Sequence, residues 1–328
     1  MKHTVRRRTF IMSLAGAGGT FLTTDFSLAA NRLAAESMPK RLFGSAQDPV
    51  SILGLGTAVM GCLEDGENEG IQIVHTALDQ GVNYIDTGRI YGIAESCIGK
   101  VARDRREEMF LVTKVWANTA KEAEQQLTTS LKTLETDHVD LCHIHSMGHR
   151  DPQQVLADDG ALSYLVKAKK KGLTRCIGAS GHHKIANLLS VLETGEIDAV
   201  MTNLNFVDRS IYNYYQRVFP LAQKHKMTII AMKVFGGPFG VKEANFLDAY
   251  RRQEGPQMPK DLLRDSIHYC LSLGGVTTAL AGVRNREELL EDVRLAKDFQ
   301  PLTAKKKSEL ETKGEEIAPS WGPRFGSP

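Results

Sequence analysis

Four ionisable side chains stand at or just beyond the ends of three short apolar runs. Asp86 ends the run VNYID, and Tyr91 follows it five residues later. Lys114 lies near the end of MFLVTKV, and His145 ends DLCHIH. A carboxylate, a phenol, an amine and an imidazole that meet in one place would suit the delivery of a proton to a carbonyl oxygen as its carbon receives a hydride.

Pairing these groups follows from the free energy of burying charge. Lys114 lies inside an apolar run, where an ammonium group is costly unless a carboxylate accompanies it, and Asp86 is the natural partner. An ammonium beside a phenol lowers the pKa of that phenol, which would make Tyr91 a proton donor near neutral pH. His145 would donate a hydrogen bond to the substrate oxygen.

The elements that must position these residues alternate along the chain. From Ser51 onward, eight short apolar runs are each followed by an amphipathic stretch, and Gly81, Gly172 and Gly274 lie where a helix would pass into a strand. Eight such units predict an α/β chain folded as a closed (β/α)8 TIM barrel, in which all strand ends meet at one face. An open doubly wound sheet would carry G-x-G-x-x-G after its first strand, which LGLGTAVMG matches only in its first two glycines.

The motifs around these residues resemble those of the aldo-keto reductase family. Asp86 to Gly92, followed by Glu95-Ser96 and Ile98-Gly99-Lys100, resembles the family's signature of Asp, Tyr-Gly and Ser-x-x-x-Gly-Lys, with one residue fewer between Ser96 and Gly99. Its later segments are matched by Thr113-Lys114, Leu141 to His145, Gly178 to Ser180, and Ala281 to Arg284 with Glu291-Asp292. The similarity runs from about Pro39 to Asp298 in the family's order.

The resemblance implies an NAD(P)H-dependent oxidoreductase that interconverts an aldehyde or ketone and its alcohol without a metal. It makes Tyr91 the general acid, Lys114 the partner that lowers its pKa, Asp86 the holder of Lys114, and His145 the residue that orients the carbonyl. It implies NADP(H) as cofactor, with NAD(H) as the alternative, and a small-molecule carbonyl or alcohol as substrate. The residues expected at the cofactor are Gly56, Thr57, Asp86, Ser180, Asn205, Lys233, Phe235, Gly236, Gly282, Arg284, Glu291 and Asp292.

Three positions depart from the family's pattern. Many relatives carry Asn, Gln and an aromatic residue where this chain has Gly181, Met201 and Met232. We therefore expect Ser180 and Asn205 to hold the nicotinamide carboxamide.

Two other functional classes are compatible with parts of the pattern. His143 and His145 are two residues apart on one strand and would face the same way, as in a metal-dependent barrel hydrolase, although the eighth strand supplies no carboxylate. A protein that binds nicotinamide nucleotide without turnover is the second alternative.

Composition excludes several classes of protein. The chain has 328 residues, of which 42% are hydrophobic and 24% charged, which is typical of a globular protein rather than a disordered one. Its five cysteines are widely spaced without a C-x-x-C pair, which favours free thiols. Residues 1–29 hold four of 41 basic and one of 39 acidic residues, so the rest of the chain carries a net charge of −1. No nucleic-acid partner is therefore expected.

The first 29 residues have the order of an export signal. A basic start containing Arg7-Arg8 precedes a weakly apolar, Gly-rich stretch and a small-residue segment, which resembles a twin-arginine signal read by the Tat export machinery. The stretch is shorter than the ~20 apolar residues of a membrane span, so we expect an exported, periplasmic protein with no stable membrane anchor once processed. The expected organisation is a signal at 1–29, a lead-in and hairpin at 30–50, the reductase-like barrel at 51–298, and a helix and tail at 299–328.

Overall fold

The computed structural model describes residues 37–44, 46–63, 66–237, 247–248, 251 and 255–328. The predicted signal at residues 1–29 lies outside this range. Among the helices that are described, none is both long and apolar enough to cross a membrane.

Eight parallel strands close into a barrel, which confirms the predicted (β/α)8 fold. The strands are β1 (Lys40–Phe43), β2 (Asp48–Ser51), β3 (Leu53–Gly56), β4 (Tyr84–Asp86), β5 (Phe110–Val115), β6 (Val139–Ile144), β7 (Thr174–Gly181), β8 (Ala199–Asn203), β9 (Thr228–Met232) and β10 (Val276–Gly282). Around the barrel the order is β10-β3-β4-β5-β6-β7-β8-β9, so each barrel strand pairs with its neighbour in the chain and the last closes onto the first.

Helices follow the barrel strands and cover the outside of the sheet. Within the described residues they are α1 (Gly66–Asp79), α2 (Ala94–Arg105), α3 (Ala120–Thr133), α4 (Pro152–Val155), α5 (Ala161–Lys170), α6 (Ile185–Leu192), α7 (Asp208–Tyr212), α8 (Tyr214–Arg217), α9 (Phe219–Lys224), α10 (Leu263–Leu271), α11 (Arg286–Lys297) and α12 (Ala304–Trp321).

Two local details differ from the sequence-based expectation. The pattern after the sixth barrel strand predicts one helix, but the chain forms the three short helices α7, α8 and α9. Asn213 lies between the first two with φ of 53°, a left-handed conformation that Asn tolerates better than most residues and that interrupts a helix. Before β10, the residue with positive φ is Gly275, at 91°, rather than the neighbouring Gly274.

The antiparallel hairpin of β1 and β2 closes the amino-terminal end of the barrel. Phe43 and Val50 of the hairpin pack with the first inward-facing residues of the strands, and the rings of Phe43 and Phe110 are 4.5 Å apart. Because side chains alternate along a strand, Asp86 and Lys114, two residues after Tyr84 and Val112, also face the interior. The hairpin therefore fills one end of the barrel with apolar side chains and leaves the carboxyl end to the polar residues.

Candidate active site

Asp86 and Lys114 form a buried ion pair at the carboxyl end of β4 and β5. The Lys114 Nζ donates to Asp86 Oδ1 at 2.5 Å and to the backbone oxygen of Thr87 at 2.7 Å. Both residues are at most 3% exposed. Burial raises the pKa of Asp86 and lowers the pKa of Lys114, while the charge of each partner opposes the shift of the other.

Tyr91 lies in the loop between β4 and α2, directly against this pair. Its backbone N–H donates to the oxygen of Gly88 at 2.9 Å, which closes a tight turn. The Lys114 Nζ lies 4.8 Å from the centroid of the Tyr91 ring. The Tyr91 hydroxyl lies 3.4 Å from His145 Nε2. The phenol that the sequence predicts as the proton donor therefore contacts both of its expected partners.

His145 stands just beyond β6 and closes the group. Its backbone N–H donates to the oxygen of Val115 at 2.9 Å, and its ring meets the ring of Trp116 edge-on with centroids 5.0 Å apart. Burial, and then the charge of Lys114, hold the pKa of His145 well below its usual range. The imidazole is therefore neutral at neutral pH, so one ring nitrogen carries a proton and the other accepts.

A second buried carboxylate anchors the loop that carries Tyr91. Glu95, only 1% exposed, accepts a hydrogen bond from the Thr113 hydroxyl at 2.8 Å and forms an ion pair with Arg89. Arg89 in turn donates its backbone N–H to the oxygen of Lys114 at 3.2 Å. The sequence analysis assigned no role to this network, although a Glu on the buried face of a predicted helix is a signal that could have pointed to it.

The four predicted catalytic residues open into one cavity of about 340 Å³, within the range of small-molecule sites. Most of the residues expected at the cofactor line it as well. They are Gly56, Thr57, Asp86, Ser180, Lys233, Phe235, Gly236, Gly282, Arg284, Glu291 and Asp292.

Asn205, which the sequence predicts at the carboxamide, is the exception. It is not among the residues found to line the cavity, and its amide is engaged within the protein. Its Nδ2 donates to Asp208 and to the backbone oxygen of Lys233, and its Oδ1 accepts from the N–H groups of Val207 and Asp208. The amide is used by its neighbours because α7 begins at Asp208, where N–H groups need acceptors.

Adjacent strands leave a strip of the cavity wall without side chains. Gly56 at the end of β3 pairs with Gly282 at the end of β10, and both line the cavity. Gly236, with φ of 103°, lines it from the loop after β9. The absence of Cβ atoms at Gly56 and Gly282 lets a ligand approach the backbone closely, as a dinucleotide requires. At Gly236 an added Cβ would lie 2.2 Å from the backbone oxygen of Pro256, so that glycine is required by the packing of the loop itself.

The part of the cavity wall farthest along the chain carries charges of both signs. Arg284 lies within 3.3 Å of Glu288, which also accepts the backbone N–H of Arg284 at 2.8 Å. Glu291 and Asp292 follow on α11, and burial together with these two glutamates raises the pKa of Asp292 to about 8. Arg284 was expected at the cofactor, and its pairing with Glu288 was not anticipated from the sequence.

Two histidines besides His145 lie near the site. His182 lines the cavity and its Nδ1 lies 2.8 Å from Asn203 Oδ1. It follows directly after β7, and that position at a strand end is the signal for it. His143 is buried below His145 against Gly178, and no group of three residues able to hold a metal ion is found in the described part of the chain.

Comparison with known proteins assigns the chain to a family. The model of the aldo/keto reductase family matches residues 52–315. The chain is 22% identical to the uncharacterized oxidoreductase YqkF of Bacillus subtilis over 79% of its own length and 91% of that protein. A solved putative aldo-keto reductase from Pseudomonas aeruginosa is 26% identical, with a TM-score of 0.65 over 80% of this chain and 97% of that one.

A second solved structure supports the fold. The aldo/keto reductase from Klebsiella pneumoniae in complex with NADP and acetate is 19% identical, with a TM-score of 0.67, and covers 88% of this chain and all of its own. The family match covers most of the residues and includes every catalytic position discussed above. The chain therefore belongs to the aldo/keto reductase family and is an NAD(P)-dependent oxidoreductase.

Proposed function

We propose that this protein reduces a small aldehyde or ketone with NADPH and that Tyr91 supplies the proton. The observation that supports it best is the position of the Tyr91 hydroxyl, 3.4 Å from His145 Nε2, with the Lys114 ammonium 4.8 Å from the ring centroid. A phenol between a cation and a neutral imidazole is suited to lose its proton and regain it.

In this reaction the protein places the carbonyl and moves one proton. Bound NADPH supplies the hydride that adds to the carbonyl carbon. As the carbonyl oxygen gains the electron pair of the broken π bond, it takes the proton of the Tyr91 hydroxyl. Lys114 stabilises the phenolate that results, and Asp86 holds Lys114 in place. The neutral His145 ring donates a hydrogen bond to the same oxygen.

The residues around the cavity fit a dinucleotide. The second carboxylate oxygen of Asp86, Oδ2, has no hydrogen-bond partner among the described residues, which leaves a buried acceptor for a ligand. The glycines at 56 and 282 provide the open wall, and Arg284 provides a cation for a phosphate. These features support NADP(H) as the cofactor.

The proposal is tested by mixing the purified mature protein with NADPH and a panel of aldehydes and ketones while following the absorbance of reduced nicotinamide. We expect carbonyl-dependent oxidation of NADPH. Tight nucleotide binding by native mass spectrometry with no turnover on any member of the panel would instead favour a binding protein without catalysis.

We also propose that residues 1–29 direct export through the Tat machinery to the periplasm. Arg7-Arg8, the weakly apolar stretch that follows and the small residues near Ala29 support this assignment.

A further inference from the structure

A buried ion pair ties the carboxyl-terminal tail to the barrel. After α12 ends, Arg324 donates from Nη1 to Asp208 Oδ1 at 2.5 Å and from Nη2 to Asp208 Oδ2 at 2.7 Å. Both side chains are 0% exposed. A bidentate pair of this kind fixes the geometry of the groups around it, because a guanidinium and a carboxylate meet in only one plane.

The pair continues through Asn205 to the wall of the cavity. Asp208 Oδ2 accepts a second hydrogen bond from Asn205 Nδ2 at 2.8 Å, and the same Nδ2 donates to the backbone oxygen of Lys233 at 3.0 Å. The path from the tail to the cavity therefore has three links, Arg324 to Asp208, Asp208 to Asn205, and Asn205 to Lys233.

Lys233 needs such a restraint because its backbone is in an unfavourable conformation. Its φ is 59°, in the left-handed region, where a residue with a Cβ is strained. Its carbonyl oxygen is held on both sides, by Asn205 and by the N–H of Gly236 at 3.0 Å. This conformation places Lys233 among the residues that line the cavity, together with Asp86 and Lys114.

The tail also reaches the Lys233 side chain itself. The Nζ lies 5.8 Å from the centroid of the Phe325 ring, and the ring of Phe325 lies 5.0 Å from that of His182. Burial, and after it the charge of Arg324, lower the pKa of Lys233 to about 7. An anion beside this amine would favour its charged form, which makes the position responsive to ligand charge.

We propose that Arg324 is a positioning residue that acts through Asp208 and Asn205 to hold Lys233 in the conformation in which it binds an anionic group in the active-site cavity. The group is a phosphate of the dinucleotide or a carboxylate of the carbonyl substrate. The carboxylate alternative rests on the proposed reductase function and is tested by turnover. The phosphate alternative is tested by nucleotide binding, which needs no turnover.

The main variant combines Arg324→Met with Asp208→Leu. Replacing both partners avoids an unpaired buried charge. Such a charge would destabilise the protein whether or not Arg324 positions Lys233. Lys233→Met removes the amine and leaves the tail in place. Arg175→Met is the control, since it removes an arginine from another buried aspartate, Asp140, which keeps Arg106 as a partner.

Two measurements distinguish the source of the anion. The first is the Kd of NADPH, followed by quenching of tryptophan fluorescence. The second is the ratio of kcat/KM for 4-carboxybenzaldehyde to that for 4-nitrobenzaldehyde, two aldehydes that differ in the charge of one substituent. We expect the double variant and Lys233→Met to lose about tenfold in one of the two, as expected for one charge-assisted hydrogen bond. A loss in NADPH affinity identifies the phosphate, and a loss confined to the ratio identifies the carboxylate.

Combining all three substitutions tests the connection itself. If Arg324 acts through Lys233, the triple variant loses no more affinity or selectivity than Lys233→Met alone. The reason is that the effects of substitutions at residues linked in series do not add. Additive losses in the triple variant would overturn the proposal. So would a folded double variant that keeps both the wild-type Kd and the wild-type ratio, or equal losses in Arg175→Met.

Discussion

At the scale of single residues, the proposed proton transfer depends on a buried ion pair. Lys114 and Asp86 are almost fully inaccessible, and a pair in that environment contributes little net stability compared with apolar residues of the same size. Its position under the Tyr91 ring gives it a chemical reason to be there, since a nearby cation stabilises the phenolate formed when the proton leaves.

Replacing Lys114 by Met should therefore cost both stability and activity. The variant leaves Asp86 buried and without its partner, which typically costs about 3–5 kcal/mol. Unfolding in denaturant and kcat on an active carbonyl measure the two effects. Lys100→Met, which removes an exposed pair with Glu67, is the control and should cost at most about 1 kcal/mol. A Lys114→Met protein with unchanged stability and turnover would show that Lys114 has no part in the site.

Arg284 is the residue that should distinguish the two nicotinamide nucleotides. A guanidinium binds a 2′-phosphate through paired hydrogen bonds, and only NADPH carries that group. We expect Arg284→Ala to raise the Kd of NADPH about tenfold and to leave the Kd of NADH nearly unchanged, an effect reduced by the existing pair with Glu288. Arg286→Ala, two residues later and paired with Glu69, is the control. Equal weakening of NADPH and NADH binding would assign Arg284 to a group that both nucleotides share.

At the scale of elements, two loops that follow neighbouring strands must fit together to place the proton donor. Gly61, in the short 3₁₀ helix after β3, packs so closely on the loop after β4 that a Cβ there would lie 2.0 Å from the backbone oxygen of Tyr91. No side chain fits in that space without moving backbone atoms.

Gly61→Ala should therefore displace Tyr91 and lower kcat by more than about tenfold, since a shift of about 1 Å at a reacting group is enough for that loss. The barrel should remain folded, because the strained contact involves two loops and no strand. Gly274→Ala, at a position where nothing lies within 4 Å of the added Cβ, is the control. A Gly61→Ala enzyme with the wild-type kcat would mean that the contact does not position Tyr91.

The elements were predictable from sequence to the extent that their signals are local. The alternation of apolar runs with amphipathic stretches predicts the barrel, and the cost of burying Lys114 predicts its pairing with Asp86. The role of Asn205 was not predictable in this way. Its partners are Asp208 and a backbone oxygen 28 residues away, and no periodicity or motif records which of several acceptors an amide will find.

At the scale of the whole molecule, the carboxyl-terminal tail is joined to the barrel and, through hydrogen bonds, to the wall of the active-site cavity. Arg324 and Asp208 are 116 residues apart in sequence, and α12, which lies between them in the chain, packs against α7, which begins at Asp208. The sequence predicts a helix and a tail over residues 299–328. A pairing over that distance has no local pattern, so structure is needed to find it.

The proposed leader, residues 1–29, raises a question about cofactor supply that can be tested in cells. A periplasmic reductase has no ready source of reduced nucleotide. The Tat route, whose signal the leader resembles, carries folded proteins, and these could bind the nucleotide in the cytoplasm before export. A bound nucleotide also stabilises the folded state, by about 2.7 kcal/mol at one hundred times its Kd. Replacing Arg7 and Arg8 by Lys should therefore block export and leave folded, nucleotide-bound precursor in the cytoplasm.

Cell fractionation with an antibody, followed by nucleotide analysis of each pool, measures both effects, and Arg6→Lys alone is the control. Normal export of the double variant would show that the leader does not use the Tat route. An exported wild-type pool without nucleotide would separate export from cofactor loading.

The proposed role of Tyr91 as the proton donor is tested by the variant Tyr91→Phe. The substitution removes one hydroxyl and almost no packing volume, so we expect the Kd of NADPH to stay within about twofold of wild type. Turnover of an active aldehyde should fall by about 10²–10⁴, the usual contribution of a general acid. The decisive measurement is the rate of NADPH oxidation by the variant at saturating nucleotide and aldehyde. A loss of this size supports Tyr91 as the proton donor, and a rate equal to that of wild type would contradict that role.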